Sequence, residues 1–275
     1  MNTPHSQHIA FIGGGNMASA ILGGLIRQGL PASQITVVEP FADTAAKLRQ
    51  DFGVAVLPEA SAALAQAQLV VWAVKPQVFA EAAAPVAAHT QQALHLSVAA
   101  GIRTDSLRRW LQTERVVRSM PNTPALVGQG MTALFACPAV TAAEKAQVEQ
   151  VIATTGQFLW VAQESQLDAV TALSGSGPAY VFFFLEAMTA AGVGMGLARE
   201  QAYRLAVATF SGAASLAAAS SEPPEVLRQR VTSKGGTTYA AITHMENAGI
   251  QAAFVAAMQA AERRARELGD EFGKA

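Results

Sequence analysis

Short apolar runs alternate with longer mixed segments along the first part of the chain. The run Ile9–Ile12 is too short and too apolar for an amphipathic helix, Ile35–Val38 is a short β-branched run, and 69–74 is a further apolar run. This pattern is typical of central parallel strands that are buried on both faces. Thr141, followed three residues later by Glu144, has the spacing of a capping box and predicts the start of a helix. Further strands are predicted over 54–56, 94–98, 128–136 and 158–161, and helices over 44–50 and 142–155.

The pattern becomes helical beyond residue 162, where no clear strand occurs. The segments 180–193 and 199–219 are apolar on more than one side, so these helices need neighbours on several sides. A chain of 275 residues exceeds a typical single domain, and the change of pattern marks a boundary. We therefore predict an α/β domain over 1–162 and an all-α domain over 163–275. Further helices are predicted over 166–173, 239–247 and 250–268, the last ending in a charged segment typical of a solvated face.

A glycine-rich turn follows the first predicted strand and leads directly into a helix of small residues. Glycines at 13 and 15 and an alanine at 18 match the dinucleotide fingerprint, with alanine in place of the third glycine. Gly13 permits the tight turn, Gly15 lets a pyrophosphate approach the backbone, and Ala18 lets the helix pack closely on the strand. The N–H groups at the helix start then point at the phosphates. Glycine triplets also occur in ordinary turns, but the position between a strand and a helix favours a Rossmann dinucleotide site.

Glu39 ends the second predicted strand, about twenty residues beyond the glycines. A Rossmann domain places at this point the carboxylate that binds the 2′-hydroxyl of the adenosine ribose. Such a carboxylate favours NAD(H) and repels the 2′-phosphate of NADP(H), and no arginine or lysine lies between Glu39 and Lys47 to bind that phosphate. An acidic turn residue before Pro40 is the alternative interpretation, and both interpretations remain open at this point.

Loops at the ends of later strands belong beside the cofactor, because ligands of such sheets bind beyond the carboxyl ends of the strands. In the loop 73–77, Pro76 has no N–H and must leave the sheet, while Lys75 either faces a phosphate or lies at the surface. The loop 98–101 consists of small residues that let a flat ring come close. The turn 121–124 has a proline at each end and forms either a rigid site wall or a plain turn.

The composition favours a folded protein that associates with itself. Apolar residues make up 51% of the chain and charged residues only 14%, against about 25% in typical globular proteins. Charged residues are too few to cover the surface of a monomer well. We therefore expect an oligomer whose interface uses the apolar helices. The formal net charge of −1 and the lack of a long basic run predict no nucleic-acid partner.

The remaining sequence signals concern location and metals. Cys137 is the only cysteine, which excludes intrachain disulfide bonds and multi-cysteine metal sites, and we predict no metal. The first residues lack a basic region followed by an apolar segment, so we expect no secretory signal. The segment 180–198 is apolar but contains Glu186 and several glycines, which favours a core or interface helix over a membrane span. We therefore expect a soluble, cytoplasmic protein with no membrane partner.

A second glycine-rich segment, 231–238, combines glycines with hydroxyl residues just before a predicted helix. In one interpretation Thr237 or Thr238 caps that helix. In the other the segment binds an anion, because it offers flexible glycine backbone, free N–H groups and a hydroxyl.

The motifs IGGGNM, AVKPQ, SVAAG, RSMPNTP, SGSGPAY and VTSKGGTT occur in this order and closely resemble those of the pyrroline-5-carboxylate reductases. The resemblance covers residues 8 to about 268, and the last three motifs together are specific. It implies an N-terminal Rossmann domain and a C-terminal helical dimerisation domain, with dimers often assembled into decamers. It also implies reduction of 1-pyrroline-5-carboxylate to L-proline, the last step of proline synthesis, with NADP(H) or NAD(H) as cofactor. The family usually prefers NADPH, a preference that Glu39 places in question for this chain.

The resemblance also assigns roles to residues of this chain. Those beside the cofactor are Gly13, Gly15, Asn16 and Met17 at the pyrophosphate, Ala73, Val74, Lys75 and Pro76 along the cofactor, and Val98, Ala99 and Ala100 at the nicotinamide. Glu39 is added to this set as the candidate for the ribose because of its position after the second strand. Those that bind the substrate, and proline, are Ser233, Gly235, Gly236, Thr237 and Thr238.

The implied chemistry needs no strong acid from the protein, because a cyclic imine is basic and can carry its own proton. The protein has mainly to position C5 of the substrate ring against C4 of the nicotinamide. We predict Thr238 as the catalytic residue, with its hydroxyl hydrogen-bonded to the ring nitrogen. The N–H groups of Gly236 and Thr237 are expected to hold the substrate carboxylate at the helix start.

Two other functions are weighed against this one. A related NAD(P)-dependent reductase of another imine or of a hydroxy acid typically places a general-acid lysine on a helix of the second domain, whereas Lys234 lies in a predicted loop. A non-catalytic dinucleotide-sensing protein explains the segment 9–25 but not the hydroxyl-rich segment 231–238. No histidine, cysteine or paired carboxylate lies in a recognised motif, which argues against hydrolysis.

Overall fold

The computed structural model describes residues 8–273, which form two compact units. The first unit comprises the described residues through Ser176 together with those from Ala261 onward, and the second comprises Gly177–Ala260. An eight-stranded sheet covered by helices builds the first unit, and the described residues of the second form helices and loops. The predicted fold class, a Rossmann domain followed by an all-α domain, is therefore confirmed.

The strands of the first unit follow the order β3-β2-β1-β4-β5-β6-β7-β8. Strands β1 to β6 are parallel, whereas β7 runs antiparallel to β6 and parallel to β8. The turn 123–127 that joins β6 to β7 is too short for a crossover, so β7 must return alongside β6. The strands are β1 (Ile9–Ile12), β2 (Ile35–Val38), β3 (Ala55–Leu57), β4 (Leu69–Trp72), β5 (Leu94–Ser97), β6 (Val116–Met120), β7 (Gly130–Ala136) and β8 (Gly156–Trp160).

The predicted helices are present with different ends at several places, and three further helices, over 76–87, 104–111 and 224–230, were not predicted. The predicted capping box is present, with the Thr141 hydroxyl accepting from the Glu144 N–H and the Glu144 carboxylate accepting from the Thr141 N–H. They are α1 (Asn16–Arg27), α2 (Ala42–Phe52), α3 (Pro76–Ala87), α4 (Thr104–Leu111), α5 (Ala142–Ile152), α6 (Gln166–Val170), α7 (Gly177–Gly194), α8 (Arg199–Ala219), α9 (Pro224–Arg230), α10 (Thr237–Asn247) and α11 (Ile250–Phe272).

Two helix ends correct the sequence interpretation. Helix α10 begins at Thr237 rather than at residue 239, so both threonines lie inside the helix and neither is its N-cap. Helix α11 continues beyond residue 268 to Phe272, and its last turns are not wholly a solvated face. Ala265 and Gly269 are buried there, because this end of α11 packs within the first unit.

The predicted domain boundary after residue 162 stays a prediction. The segment 163–176 belongs to the first unit by its packing. In that segment, a carboxylate oxygen of Glu164 lies 2.9 Å from a guanidinium nitrogen of Arg118, which is only 4% exposed on β6. Helix α6 is followed by a π-helical turn over Thr171–Gly175, and α7 begins two residues later.

The core of the first unit is apolar on both faces of the sheet. All four residues of β1, β2, β4 and β5 are buried, which agrees with the apolar runs that predict β1 and β4. Ala18 of α1 is fully buried, which agrees with its expected role in bringing the helix close to the strands. This core fixes the carboxyl ends of the central strands, where the sequence places the cofactor residues.

His95 is a buried polar residue in β5, with 1% of its surface exposed. Its Nδ1 accepts a hydrogen bond of 3.0 Å from Nε1 of Trp72, and its Nε2 lies 3.3 Å from the carbonyl oxygen of Thr90. The ring is therefore neutral, because protonation at Nδ1 would remove the acceptor for Trp72. Burial is the main reason why the pKa of His95 falls from 6.5 to about 4.

The lowered pKa of His95 predicts acid sensitivity of folding. Between about pH 6.5 and pH 4 the unfolded chain binds the proton and the folded chain does not, so stability falls as the pH falls through this range. The expected loss from this residue is about 3 kcal/mol, at 1.36 kcal/mol for each pKa unit. Urea unfolding at fixed protein concentration across this pH range measures the effect.

The matched control for this prediction is His89, a half-buried histidine just after α3. We expect His95→Gln to flatten the pH dependence of the unfolding free energy and His89→Gln to leave it steep. An equally steep profile in His95→Gln would show that other groups cause the acid sensitivity.

The helical unit contains two long apolar helices that pack closely on each other. A Cβ added at Gly192 of α7 would lie 2.7 Å from the Cβ of Ala202 of α8, so the helices can approach this closely only with glycine at 192. Large apolar side chains nevertheless stay exposed on both helices, among them Phe182 at 58%, Phe183 at 66% and Leu205 at 57%. A single chain does not cover the helices on all sides, as the sequence pattern predicts.

Within residues 8–273, no helix combines the length and the apolar character that crossing a membrane requires.

Candidate active site

The glycine turn between β1 and α1 is held by the end of β2. The N–H of Gly13 donates to the carbonyl oxygen of Val38 at 2.9 Å, and the N–H of Gly14 donates to Oε2 of Glu39 at 2.8 Å. Gly13 has a positive φ of 90°, and a Cβ there would lie 2.8 Å from the carbonyl oxygen of Ala73. Only glycine fits this position, because the turn and the end of β4 approach each other so closely.

Glu39 supports the glycine turn with both of its carboxylate oxygens. Besides the bond from Gly14, its Oε1 accepts from the N–H of Phe41 at 3.0 Å, and the residue is 6% exposed. The carboxylate therefore has a structural role at the turn, as well as the position from which a Rossmann carboxylate reaches the ribose. The hydrogen bonds from Gly14 and Phe41 show a structural role at the turn, and binding of the ribose stays a prediction.

The start of α1 fits a dinucleotide pyrophosphate. Gly15 is the N-cap, no side chain caps the helix, and no acidic residue lies in its first turn. The first N–H groups of the helix, from Asn16 on, have no partner inside the helix by its geometry. A Cβ added at Gly15 would meet no heavy atom within 4 Å, so a substituent there would fill the space above the helix start. The fold itself does not require glycine at 15, and the role of Gly15 toward a pyrophosphate stays a prediction.

The loop after β4 lies next to the glycine turn. The N–H of Ala73 donates to the carbonyl oxygen of Ile12 at 2.8 Å, and Cγ1 of Val74 lies 3.0 Å from the position of a Cβ at Gly13. Lys75 is exposed and is the N-cap of α3, with Pro76 in the first turn. The structure brings this loop and the turn together, and the role of Lys75 toward a phosphate stays a prediction.

The loop after β5 continues the same edge of the sheet. The N–H of Val98 donates to the carbonyl oxygen of Trp72 at 3.0 Å, and the N–H of Ala99 donates to Oγ of Ser97 at 3.3 Å. Ala99 is 4% exposed, whereas Ala100 is open to solvent. The predicted cofactor residues therefore line the carboxyl ends of β2, β1, β4 and β5, where a dinucleotide binds in such a sheet.

The turn after β6 is tied to two other parts of the first unit through Asn122. Its side-chain oxygen accepts from the N–H of Met131 at 2.9 Å, and its Nδ2 donates to Oγ of Ser174 at 3.1 Å. Gly175 lies against Met120, whose side chain occupies the space that a Cβ would need. The sequence marks both segments as motifs, but it cannot show that Asn122 joins them, because the two are 52 residues apart.

A buried ion cluster next to this turn was not predicted. Arg118 lies 3.9 Å from an Asp168 carboxylate oxygen as well as close to Glu164, and Glu164 also accepts from the N–H of Thr104 at 2.7 Å. Burial raises the pKa of Asp168, and the Arg118 charge opposes that rise. The only signal in the sequence is an arginine in an otherwise apolar strand, which requires a carboxylate partner when it is buried.

The predicted substrate residues lie together in the helical unit, at the turn between α9 and α10. Gly235 has a positive φ of 75°, and a Cβ at Gly236 would lie 2.7 Å from Oγ of Ser233. Gly236 is the N-cap of α10 and no side chain caps the helix, so the capping interpretation of the threonines is wrong. Within residues 8–273 the hydroxyls of Thr237 and Thr238 make no hydrogen bond, which leaves both for a ligand.

One detail of the predicted substrate site needs correction. The N–H of Gly236 donates to the carbonyl oxygen of Ser233 at 3.0 Å and closes the turn, so it is not free for a substrate carboxylate. The N–H groups of Thr237 and Thr238, in the first turn of α10, have no partner inside the helix. An anion at this helix start would bind those two groups. Gly236 acts by shaping the turn.

Among the described residues no group of three or more histidine, cysteine, aspartate or glutamate side chains could hold a metal ion. Cys137 is buried, and burial raises the pKa of its thiol, so it is a poor nucleophile.

Two parts of the chain match models of known protein families. Residues 164–268 match the family model of pyrroline-5-carboxylate reductase dimerisation, and residues 8–101 match that of NADP oxidoreductase, coenzyme F420-dependent. The chain is 46% identical to the pyrroline-5-carboxylate reductase of Pseudomonas aeruginosa over 278 aligned positions, which cover 100% of each chain. It is 41% identical to that of Vibrio alginolyticus, covering 95% of this chain and 97% of that protein.

Solved structures agree with these relatives. A pyrroline-5-carboxylate reductase from Coxiella burnetii matches with a TM-score of 0.90 and 37% identity, covering 96% of this chain and 99% of that one. The pyrroline carboxylate reductase of Plasmodium falciparum with NADP bound matches with a TM-score of 0.85 and 26% identity, covering 96% of this chain and 98% of that one.

A Rossmann sheet with an open glycine turn, joined to a helical unit, defines an NAD(P)H-dependent oxidoreductase. The match to a dimerisation domain and the 46% identity over the full length identify the family within this class of oxidoreductases. The chain belongs to the pyrroline-5-carboxylate reductase family.

Proposed function

We propose that this chain reduces 1-pyrroline-5-carboxylate to L-proline with a hydride from NAD(P)H. One observation carries the proposal beyond family membership. At the turn before α10, free helical N–H groups and two threonine hydroxyls without partners in residues 8–273 lie together. This set suits a small molecule that carries both a carboxylate and a ring nitrogen.

The residues of the chain divide the work of binding and positioning. The N–H groups of Thr237 and Thr238 hold the substrate carboxylate, and the Thr238 hydroxyl bonds to the ring nitrogen. The start of α1 holds the pyrophosphate, and the loops after β4 and β5 bound the rest of the cofactor. NAD(P)H, when bound, supplies the hydride. The substrate brings its own proton on the imine nitrogen, so these residues act by orientation and need no strong acid.

The direct test is a spectrophotometric assay on the purified full-length chain. Oxidation of NADH and NADPH is followed at fixed enzyme concentration on adding 1-pyrroline-5-carboxylate, with a 2-keto acid in a parallel reaction. We expect turnover with the imine, L-proline as the product, and no turnover with the keto acid. Turnover with the keto acid alone would support the hydroxy-acid reductase, and binding of the dinucleotide without turnover would support a sensing protein.

The hydroxy-acid alternative has less support from the structure. Lys234 lies in the turn before α10 and not on a helix, where such enzymes typically place their general-acid lysine. A prephenate dehydrogenase from A. aeolicus matches this chain at 12% identity with a TM-score of 0.55, a likeness that concerns the fold alone.

Glu39 is expected to make NADH the preferred cofactor. The side chain is nearly buried and follows β2, where a Rossmann carboxylate is expected to meet the ribose, so little solvent would screen its charge from a 2′-phosphate. We expect kcat/KM for NADH to exceed that for NADPH by about tenfold or more, which corresponds to about 1.4 kcal/mol. Steady-state kinetics with each cofactor at saturating imine measures the ratio.

Two variants test the charge of Glu39, and Glu39→Gln also keeps only one acceptor oxygen for the two N–H groups of the turn. Glu39→Gln removes the charge and is expected to move the NADH to NADPH ratio toward one. Glu59→Gln, at an exposed acid beyond β3, should leave the ratio unchanged. A wild-type preference for NADPH, or an unchanged ratio in Glu39→Gln, would rule out this role for the carboxylate.

Self-association is shown at the level of the dimerisation domain, and we propose a decamer built of dimers. The exposed apolar side chains of α7 and α8 support burial against a second copy, and the family resemblance supports the larger assembly. Light scattering on the eluted protein should give ten times the chain mass of 28.6 kDa. A mass of two chains would reject the decamer alone, and a mass of one chain would reject both the decamer and the dimer.

A cytoplasmic location also remains a proposal, tested by fractionating cells of the source organism.

A further inference from the structure

The last turns of α11 pack directly on the loop that follows β5, both within the first unit. Gly101 has a positive φ of 78°, and a Cβ there would lie 3.1 Å from Cδ2 of the Phe272 ring and 3.4 Å from Cβ of Leu268. The ring of Phe272 therefore packs closely against Gly101. Gly101 itself is buried by this contact, whereas its neighbour Ala100 stays exposed.

A second set of contacts fixes Arg103, two residues further along the loop. Its guanidinium lies over Gly269, where a Cβ would come within 2.9 Å of Nε, and its Nη1 lies 2.7 Å from Oδ1 of Asp270. Its Nη2 also donates to the carbonyl oxygen of Arg266 at 3.3 Å. This ion pair is largely exposed and contributes little to stability, so its main effect is on geometry.

The loop is held at its other points by the sheet and by Glu164, which precedes α6. Val98 is bonded to the end of β4, and the N–H of Thr104, which starts α4, is bonded to the Glu164 carboxylate. Arg109 of α4 donates to the carbonyl oxygen of Gly273 at 3.0 Å, so the helix that leaves the loop is also joined to the end of the chain. The segment 98–101 is thus fixed at its start by the sheet, and α11 contacts its last residue, Gly101.

We propose that residues 269–273, the C-terminal brace, position the loop 98–101 against the nicotinamide, with Phe272 and Arg103 as positioning residues. This inference rests on the proposed function, which assigns the loop to the nicotinamide side of the site. The pyrophosphate is held elsewhere, at the start of α1. Loss of the brace therefore disturbs the alignment of the reacting ring and leaves the affinity for the dinucleotide nearly unchanged.

The test compares Phe272→Ala and Asp270→Ala with Glu267→Ala, a control at an exposed position on the same helix that does not face the loop. In Phe272→Ala we expect kcat to fall about ten- to a hundredfold, because an ångström of misplacement has an effect of this order. The dissociation constant for NADH, from fluorescence titration, should change less than about threefold, an expectation drawn from the separate pyrophosphate site. The deuterium isotope effect on kcat with NADH labelled at C4 should increase. Asp270→Ala should show a smaller change in the same direction, and Glu267→Ala none.

Hydrogen exchange in the free protein gives a readout that does not depend on turnover. The amides of 98–101 should exchange faster in Phe272→Ala and Asp270→Ala, and at the wild-type rate in Glu267→Ala. A lower kcat with reduced NADH stoichiometry and an unchanged isotope effect would indicate partial unfolding and would overturn the positioning role. Wild-type kcat and wild-type exchange in both variants would also overturn it. If Phe272→Ala does not fold, the kcat, the isotope effect and the amide exchange of Asp270→Ala decide whether the brace positions the loop.

The two proposals fail in different ways. If the wild-type chain does not reduce 1-pyrroline-5-carboxylate, the proposed function is rejected, and the brace loses the role assigned to it even if exchange confirms the contact. If the wild type is active and the variants keep full kcat and full protection of 98–101, the brace is rejected and the proposed function stands.

Discussion

Replacing Gly15 with alanine is expected to leave the folded chain intact and to weaken the binding of NAD(P)H about ten- to a hundredfold. The backbone of Gly15 has φ −69° and ψ −172°, which alanine adopts without strain, and the added methyl group meets no protein atom within 4 Å. The methyl group would instead occupy the space in which the pyrophosphate approaches the helix start. Hydrogen bonds to charged groups contribute about 1.5–3 kcal/mol, and their loss sets the size of the effect.

The contrast with Gly13 makes this prediction specific. Alanine at 13 would combine a positive φ with a contact of 2.8 Å to the Ala73 carbonyl oxygen, so it should destabilise the fold itself. Thermal unfolding without cofactor should therefore separate the two variants, and NADH titration should show the loss of affinity in folded Gly15→Ala. Wild-type affinity in Gly15→Ala would place the pyrophosphate elsewhere.

Removing the hydroxyl of Thr238 is expected to lower kcat/KM for 1-pyrroline-5-carboxylate. The expected loss of transition-state stabilisation is about 1–3 kcal/mol, the range for leaving a buried polar partner unpaired. The hydroxyl has no hydrogen-bond partner in the described chain, so its loss should not disturb the protein's own structure. Thr238→Val keeps the shape of the side chain and removes only the hydroxyl. Steady-state kinetics over a range of imine concentrations measures the change.

Two further variants control for effects on the helix. Thr238→Ser restores a hydroxyl and should recover most of the activity, whereas Thr243→Ala changes the same residue type further along α10 and should have no effect. Unchanged kinetics in Thr238→Val would remove Thr238 from the reaction. An equal loss in Thr243→Ala would indicate that the helix, and not the hydroxyl, had been disturbed.

The local pattern of the sequence predicts the framework of the first unit closely. The bounds of β1 and β2 agree with the predicted runs, because a strand buried on both faces is mostly apolar along its length. The glycine turn is equally readable, since its conformation and its approach to the phosphates both depend on residues that are adjacent in sequence. The same holds for the capping box at Thr141, which spans only four residues.

What the sequence could not supply depends on contacts between distant residues. The partners of Glu39 become visible only when β2 lies beside the glycine turn, and the pairing of Arg118 with Glu164 requires the sheet to be formed. The engaged N–H of Gly236 was also missed, because the type of turn, and not its composition, decides which amides are free. The contact of Phe272 with Gly101 could not be predicted either, because no periodic pattern in the sequence relates these two residues.

The return of the chain's end to the first unit affects the order in which the protein can fold during synthesis. Domains generally fold as units, the N-terminal one first, as the chain leaves the ribosome. Here the residues through Ser176 are made before those from Ala261 onward, although both belong to the same unit. Gly101, the last residue of the loop 98–101, therefore lacks its packing partner until Phe272 has been synthesised. A nascent chain halted before residue 261 would carry a cofactor-binding unit that is still incomplete.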